Sequence, residues 1–239
     1  MQLSFDPNII TIIKMKEVTH MKLFDLDGPF QRYGTYVFDI LFLNTLWLVL
    51  SLFSFGILTG PALTALYSGM YAGVVTSEGY TFKQFFKRFK RRFVSSLILG
   101  FLCALFIGLS SFTLFFLLPT YFSNLSTIMY IAASALYLSI LIEVMFVSSY
   151  IFPLLAQTDL KATDIFKTAF FLANKHLPTT FLTAALNTIA ILVIALIAIG
   201  YVQLFIFMFF GMGVIALFNS FLISKRILSK YDFFINPER

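Results

Sequence analysis

Thr81-Phe82-Lys83-Gln84-Phe85-Phe86-Lys87-Arg88-Phe89-Lys90-Arg91-Arg92-Phe93 is the stretch whose reading decides the fold. Phe82, Phe85, Phe86, Phe89 and Phe93 recur at i, i+3, i+4, i+7 and i+11, the spacing of one helical face. Lys83, Lys87, Arg88, Lys90, Arg91 and Arg92 take the rest of the circumference. An aromatic stripe backed by cations is the pattern of a helix lying in a membrane–water interface. The expected contacts of Phe82, Phe85, Phe86 and Phe89, and of Lys87, Arg88, Lys90, Arg91 and Arg92, are therefore lipid or a membrane partner. Attraction to an anionic leaflet at about 1 kcal/mol per cation also favours lipid. Cations without a phenylalanine stripe would have suited nucleic acid better, so no nucleic-acid partner is expected.

Composition agrees with a membrane setting. The chain has 239 residues, 59% hydrophobic and only 12% charged, where a soluble domain carries about 25% charged residues. This is an all-α, polytopic membrane helix bundle. Cys103 is the lone cysteine, so no intramolecular disulfide can form, and its apolar surroundings make it an unreactive thiol. Ile9-Ile10-Thr11-Ile12-Ile13 is too short for a signal-peptide core and runs into Lys14, Lys16 and Glu17.

Reading outward from the basic stretch gives three parts: a cytoplasmic N-terminal segment (1–27), a membrane domain (28–224) and a cytoplasmic tail (225–239). Residues 1–20 read as an extension with a short interfacial helix, and Asp25-Leu26-Asp27-Gly28-Pro29 as a turn. Six transmembrane helices are expected, over about 34–57, 61–76, 94–118, 127–152, 179–199 and 202–223. Pro61 suits the first turn of the second span, Pro153 marks the end of the fourth, and Gly200 divides the last two. Thr163 to His176 forms a second amphipathic helix, with Ile165, Phe166, Ala169, Phe170 and Ala173 on one side. All 17 Lys and Arg then fall in the two termini and the loops at 77–93 and 153–178, which places those segments in the cytoplasm by the positive-inside rule. A repeat of amphipathic segment plus hairpin is suggested at 22–78, 81–152 and 163–224. Thr81-Phe82-Lys83-Gln84-Phe85-Phe86-Lys87 pairs there with Thr163-Asp164-Ile165-Phe166-Lys167. Membrane composition alone is the alternative source of that similarity.

Gly28-Pro29, Asp39, Asn44, Leu46-Trp47, Gly60-Pro61-Ala62-Leu63-Thr64-Ala65-Leu66-Tyr67 and Phe85-Phe86-Lys87-Arg88-Phe89-Lys90 together resemble the YesL family of bacterial membrane proteins, also called domain of unknown function 624. The resemblance covers about the first 95 residues. It implies a multi-span protein of a Gram-positive bacterium, encoded beside carbohydrate uptake and polysaccharide-degradation systems, with no established catalytic residues. It also makes Met21, which opens Met21-Lys22-Leu23-Phe24, a candidate translation start.

Two acids lie within expected spans, Asp39 and Glu143. An ionised acid at the centre of a bilayer costs on the order of 2.5–3.5 kcal/mol, so each should face protein or water. The functional reading is a proton- or cation-responsive site; the plainer one is hydrogen-bonded glue between helices. Asn44, Asn187 and Asn219 fall in the inner halves of their spans and suggest, with the acids, a polar pocket open to the cytoplasm. The plainer reading gives each amide one interhelical hydrogen bond, worth about 0.6 kcal/mol. Gly60-Pro61, the Gly69 to Gly73 spacing, and Gly100, Ala104 and Gly108 read as helix-packing positions, with a homo-oligomer face as the alternative. His20 and His176 stand alone, and no metal, phosphate-loop or nucleophile motif occurs, so no metal, no cofactor and no catalytic residue is expected.

The expected function is that of a non-enzymatic membrane protein, accessory to carbohydrate uptake or utilisation. Its partners would be lipids and a carbohydrate ABC transporter or another membrane protein. The alternative is a small transporter or channel with a cytoplasm-facing pocket around Asp39 and Glu143. A lipid-handling enzyme is a third class, and no nucleophile–base pair supports it.

Overall fold

A computed structural model describes residues 29–75, 81–121, 126–198, 200 and 205–227. The N-terminal extension, the Asp25 to Pro29 turn up to Gly28, Met21 and most of the tail lie outside the described residues. Those described are helical throughout, with no strand. They form α1 (Pro29–Phe53), α2 (Thr59–Met70), α3 (Thr81–Arg91), α4 (Phe93–Phe112), α5 (Thr127–Gln157), α6 (Ala162–Lys175), α7 (Leu177–Ala198) and α8 (Phe205–Arg226). A π-helical turn, Tyr71–Val75, continues α2, and another, Thr113–Leu117, carries α4 on to Tyr121.

The bundle is apolar on the outside. Phe101, Phe106, Phe112, Phe116, Ile128 and Ile131 are all more than half exposed along α4 and α5. Water would not tolerate that surface, whereas lipid tails would. Gly34–Phe53, Phe93–Thr120 and Thr127–Gln157 are each long and apolar enough to cross a membrane, and α6 with α7, bent by 109°, would make a fourth span. Six spans are not reached among the described residues. The shortfall begins at α2, which even with its π-helical continuation to Val75 rises only about 25 Å against a hydrocarbon core of about 30 Å.

Instead α2 is the centre of the molecule. It packs against α1, α3, α4, α5 and α8, and every residue from Gly60 to Met70 except Leu63 is buried. Small residues make this burial possible. A Cβ on Gly60 would lie 2.6 Å from the Ser96 carbonyl oxygen, and one on Gly100 would lie 3.1 Å from Gly60 Cα. Helix backbones therefore touch directly at this crossing. The contact also revises the expected layout. Six upright spans would put Gly60 at the outer end and Ser96 near the inner end, yet the two are in contact.

The turn before α2 spans Ser54 to Leu58, with Gly56 at φ 85° supplying the left-handed residue the reversal needs. The first apolar helix therefore ends at Phe53, four residues short of the expected Ile57. Pro153 does not end its helix: α5 continues to Gln157. Proline removes one N–H here, and the fully buried Leu154 and Leu155 hold the last turn in the core.

Both amphipathic helices fold back along the helix before them, α3 on α2 and α6 on α5. Each then meets its apolar successor at a single corner residue, Arg92 or His176. The corners match in detail. Ser96 Oγ donates to the Arg92 carbonyl at 2.6 Å, and Thr180 Oγ1 donates to the His176 carbonyl at 3.0 Å. This register aligns Phe82-Lys83 with Phe166-Lys167 and shifts the sequence-based pairing of Thr81 with Thr163 by two residues.

Gly60→Ala or Gly100→Ala is expected to lower stability by about 1–3 kcal/mol, because backbone lies where the methyl group would go. Gly108 has no neighbour within 4 Å of its Cβ position, and Gly108→Ala should leave stability unchanged. Thermal unfolding of the detergent-solubilised variants, followed by Trp47 fluorescence, measures both.

Candidate functional site

Polar groups gather at two places, a charged clasp at the helix corners and an amide network in the bundle interior. The clasp centres on Asp159, in the Thr158–Lys161 connection between α5 and α6. Arg88 reaches one carboxylate oxygen at 2.9 Å, Arg91 the other at 2.6 Å, and Arg92 the first at 3.1 Å. Arg92 also donates to the carbonyls of Leu160 at 2.8 Å and Thr158 at 2.6 Å, just beyond the C-terminus of α5. A cation there meets carbonyls left without intrahelical donors, at the negative end of the helix dipole. Burial pulls the Arg88 and Arg92 guanidinium groups below the ordinary arginine range, and the Asp159 charge opposes that pull.

The basic helix is thus less available than its sequence implies. Three of its arginines are engaged by one acid of the same chain. Lys83, Lys87 and Lys90 are exposed and form no ion pair among the described residues. The phenylalanine stripe also turns partly inward. Phe85 is fully buried against the α1–α2 core, and Phe86 and Phe89 pack beside it. Phe82 is half exposed. Phe85 thus meets protein where lipid was expected, because α3 lies along α2 rather than flat beside the bundle. On α6 the split runs the other way. Ile165, Ala169, Leu172 and Ala173 are buried, while Phe166, Phe170 and Phe171 are about half exposed.

The interior network joins four helices. Asn219 of α8 donates through Nδ2 to Tyr67 Oη of α2 at 3.1 Å and to Asn187 Oδ1 of α7 at 3.0 Å. Asn187 donates in turn to Ser149 Oγ of α5 at 3.0 Å. Asn44 stands apart and accepts the backbone N–H of Gly213 at 2.8 Å, where α8 crosses α1. Of the five expected intramembrane polar residues, the described hydrogen bonds join two. Asn187 and Asn219 meet. Glu143 accepts from Asn174 Nδ2 of α6 at 2.8 Å, and Asp39 is half-buried on α1 with an interaction inside the chain.

Beside the network lies a cavity of about 780 Å³, lined by residues that include Trp47, Tyr67, Gly100, Cys103, Phe152 and Asn187. Ala104 lines it too, whereas Asp39 and Glu143 do not. Gly69 and Gly73 are buried within the chain, so neither presents a surface to a second copy. No group of three or more His, Cys, Asp or Glu able to hold a metal occurs among the described residues. Sequence reading passed over Asp159, Ser149 and Gly213 as chemistry. The one signal for Asp159 was its place as a lone acid beside Lys161, just past the proline-containing helix.

Residues 40–114 match the family described as "Protein of unknown function, DUF624". The match includes Asn44, Trp47, the Gly60 to Tyr67 run and the basic helix, and leaves out Gly28-Pro29 and Asp39. No curated protein and no solved structure matches the chain.

Asp159→Asn is expected to cost on the order of 3 kcal/mol, because it strands largely buried guanidinium groups. Lys87→Gln and Lys90→Gln should stay within about 0.5 kcal/mol of the parent. Asn219→Ala should cost about 1–3 kcal/mol by removing the donor shared by Tyr67 and Asn187, whereas Glu143→Gln keeps an acceptor for Asn174 and should be near neutral. Unfolding midpoints in one detergent order the five variants.

Proposed function

We propose that this chain is a non-enzymatic protein of the bacterial cytoplasmic membrane that works by docking to carbohydrate uptake machinery through α3 and α6. One observation supports the docking face. Once Asp159 has engaged Arg88, Arg91 and Arg92, the exposed Lys83, Lys87 and Lys90 remain on α3. Phe166, Phe170 and Phe171 remain outward on α6. The clasp ties α3 to the connection that leads into α6. The carbohydrate context rests on the family resemblance. Both basic loops, joined at Asp159, are cytoplasmic in this reading. The transport alternative draws no support from the cavity, which neither Asp39 nor Glu143 lines.

Two measurements test this reading. Purification in mild detergent should carry along a subunit of a carbohydrate ABC transporter. Replacing Lys83, Lys87 and Lys90 together by Gln should release that subunit while leaving the unfolding midpoint in place. Recovery of the protein alone, or only as its own oligomer, would sink the docking proposal. For topology, Phe55 is 96% exposed at the α1–α2 turn. Because Gly60 touches Ser96 close to the basic corner, Phe55→Cys in a Cys103→Ser background should react with a membrane-impermeant maleimide only after the cells are permeabilised. Labelling of intact cells from outside would overturn that placement of the α1–α2 turn.

A further inference from the structure

We propose that the cavity between α2, α4 and α7 binds the acyl chain of a membrane lipid. Three observations converge on that occupant. The first is the character of the opening. Ile57, Ile98, Phe101, Leu102 and Ile191 line the cavity and are also 41–69% exposed on the outer surface of the bundle. An entrance rimmed by side chains of that kind opens sideways to lipid. A sugar or an ion would have to cross hydrocarbon to reach it.

The second observation is the chemistry of the wall. The Trp47 indole nitrogen is enclosed by its neighbours and does not face the cavity, and the Tyr67 hydroxyl is engaged by Asn219. What the lining offers a ligand is chiefly apolar surface, from residues such as Leu63, Leu97, Ile107, Phe152 and Met212. A hydrocarbon chain suits a wall of that kind.

The third is size. At about 780 Å³ the cavity falls within the range of about 300–1,000 Å³ typical of small-molecule sites. The hydrogen bonds that link Tyr67 through Asn219 to Asn187 fix two of the lining residues before any ligand arrives. Preorganisation of that kind reduces the ordering cost of binding. The inference does not depend on the docking proposal.

Trp47 is the single tryptophan of the chain and makes the test direct. The purified full-length protein is titrated in detergent micelles with a fatty acid brominated along its chain, and separately with a brominated-chain phosphatidylcholine. Bromine quenches indole emission only at close range. The expected result is a saturable loss of most Trp47 emission with at least one probe, reversed by the same lipid without bromine. Quenching by the fatty acid alone assigns the site to free acyl chains, and quenching by the phospholipid assigns it to a bilayer lipid. Ala104→Phe, which fills the cavity from α4, should abolish the saturable part. Quenching that rises linearly with probe and is not reversed by unbrominated lipid would overturn the proposal, and that competition needs no variant to fold.

Discussion

Three guanidinium groups converge on the Asp159 carboxylate, and the arrangement answers a problem set by the chain's own composition. Helix α3 carries six cations within ten residues, counted through the corner at Arg92. Its phenylalanines must also be buried against α2. Folding the helix back brings Arg88 and Arg92 into partly dry surroundings, where an unpaired charge would cost more than the hydrophobic contact returns. Asp159 removes the conflict by arriving from the far end of α5, about seventy residues later in sequence. Arg92 meanwhile takes up the carbonyls that end α5. One acid therefore ties the first amphipathic corner to the entrance of the second, and the orientation of both depends on it.

The helical, membrane-embedded character was legible because it rests on periodicity and composition, which are local. The corners at Arg92 and His176 and the amphipathic helices before them were legible for the same reason. What stayed hidden was pairwise. A stripe at 3.6-residue spacing shows that Phe82, Phe85, Phe86 and Phe89 share a face, but not whether lipid or α2 covers it. Depth was misjudged in the same way. A mostly apolar run over 61–76 reads as a span, whereas only the Gly60–Gly100 contact reveals that α2 begins beside the start of α4. Two glycines 40 residues apart carry no mutual signal until the helices are placed. Glu143 shows the limit on chemistry. Its depth along α5 suggested a charged site in the bilayer centre, yet α6 folds back far enough for Asn174 to reach it.

The interior rests on neutral groups in place of the acids. Ser149, Asn187, Asn219 and Tyr67 bridge α5, α7, α8 and α2 with uncharged hydrogen bonds. Uncharged groups suit such a place, because an amide avoids the cost of an ion in hydrocarbon while still losing several kcal/mol if left unpaired. Each bond is worth little alone, about 0.6 kcal/mol on average in membrane bundles, so their larger effect is to fix which helices meet and in what register. Small residues at the crossings do the complementary work. Gly60 and Gly100 let backbones touch, and Gly213 sits where a Cβ would press against Ile40 and Met70 at 3.1–3.2 Å.

Such an interior separates the molecule's two surfaces by chemistry. The charged side, from α3 through Asp159 to α6, is held by long-range ion pairs, of which the exposed Arg91 arm is the one that salt can weaken. The cavity side is held by dry contacts and amide bonds that salt barely affects. A perturbation at one surface reaches the other chiefly through α2, which packs against α3 on one side and carries Tyr67 to the cavity on the other. Phe85 rests in the same core as Trp47, Leu66 and Tyr67. Any movement of α3 that displaced Phe85 would therefore disturb the wall that Trp47 and Tyr67 help to form. The chain thus has a continuous packed path from its basic helix to its interior cavity, through residues that are buried throughout.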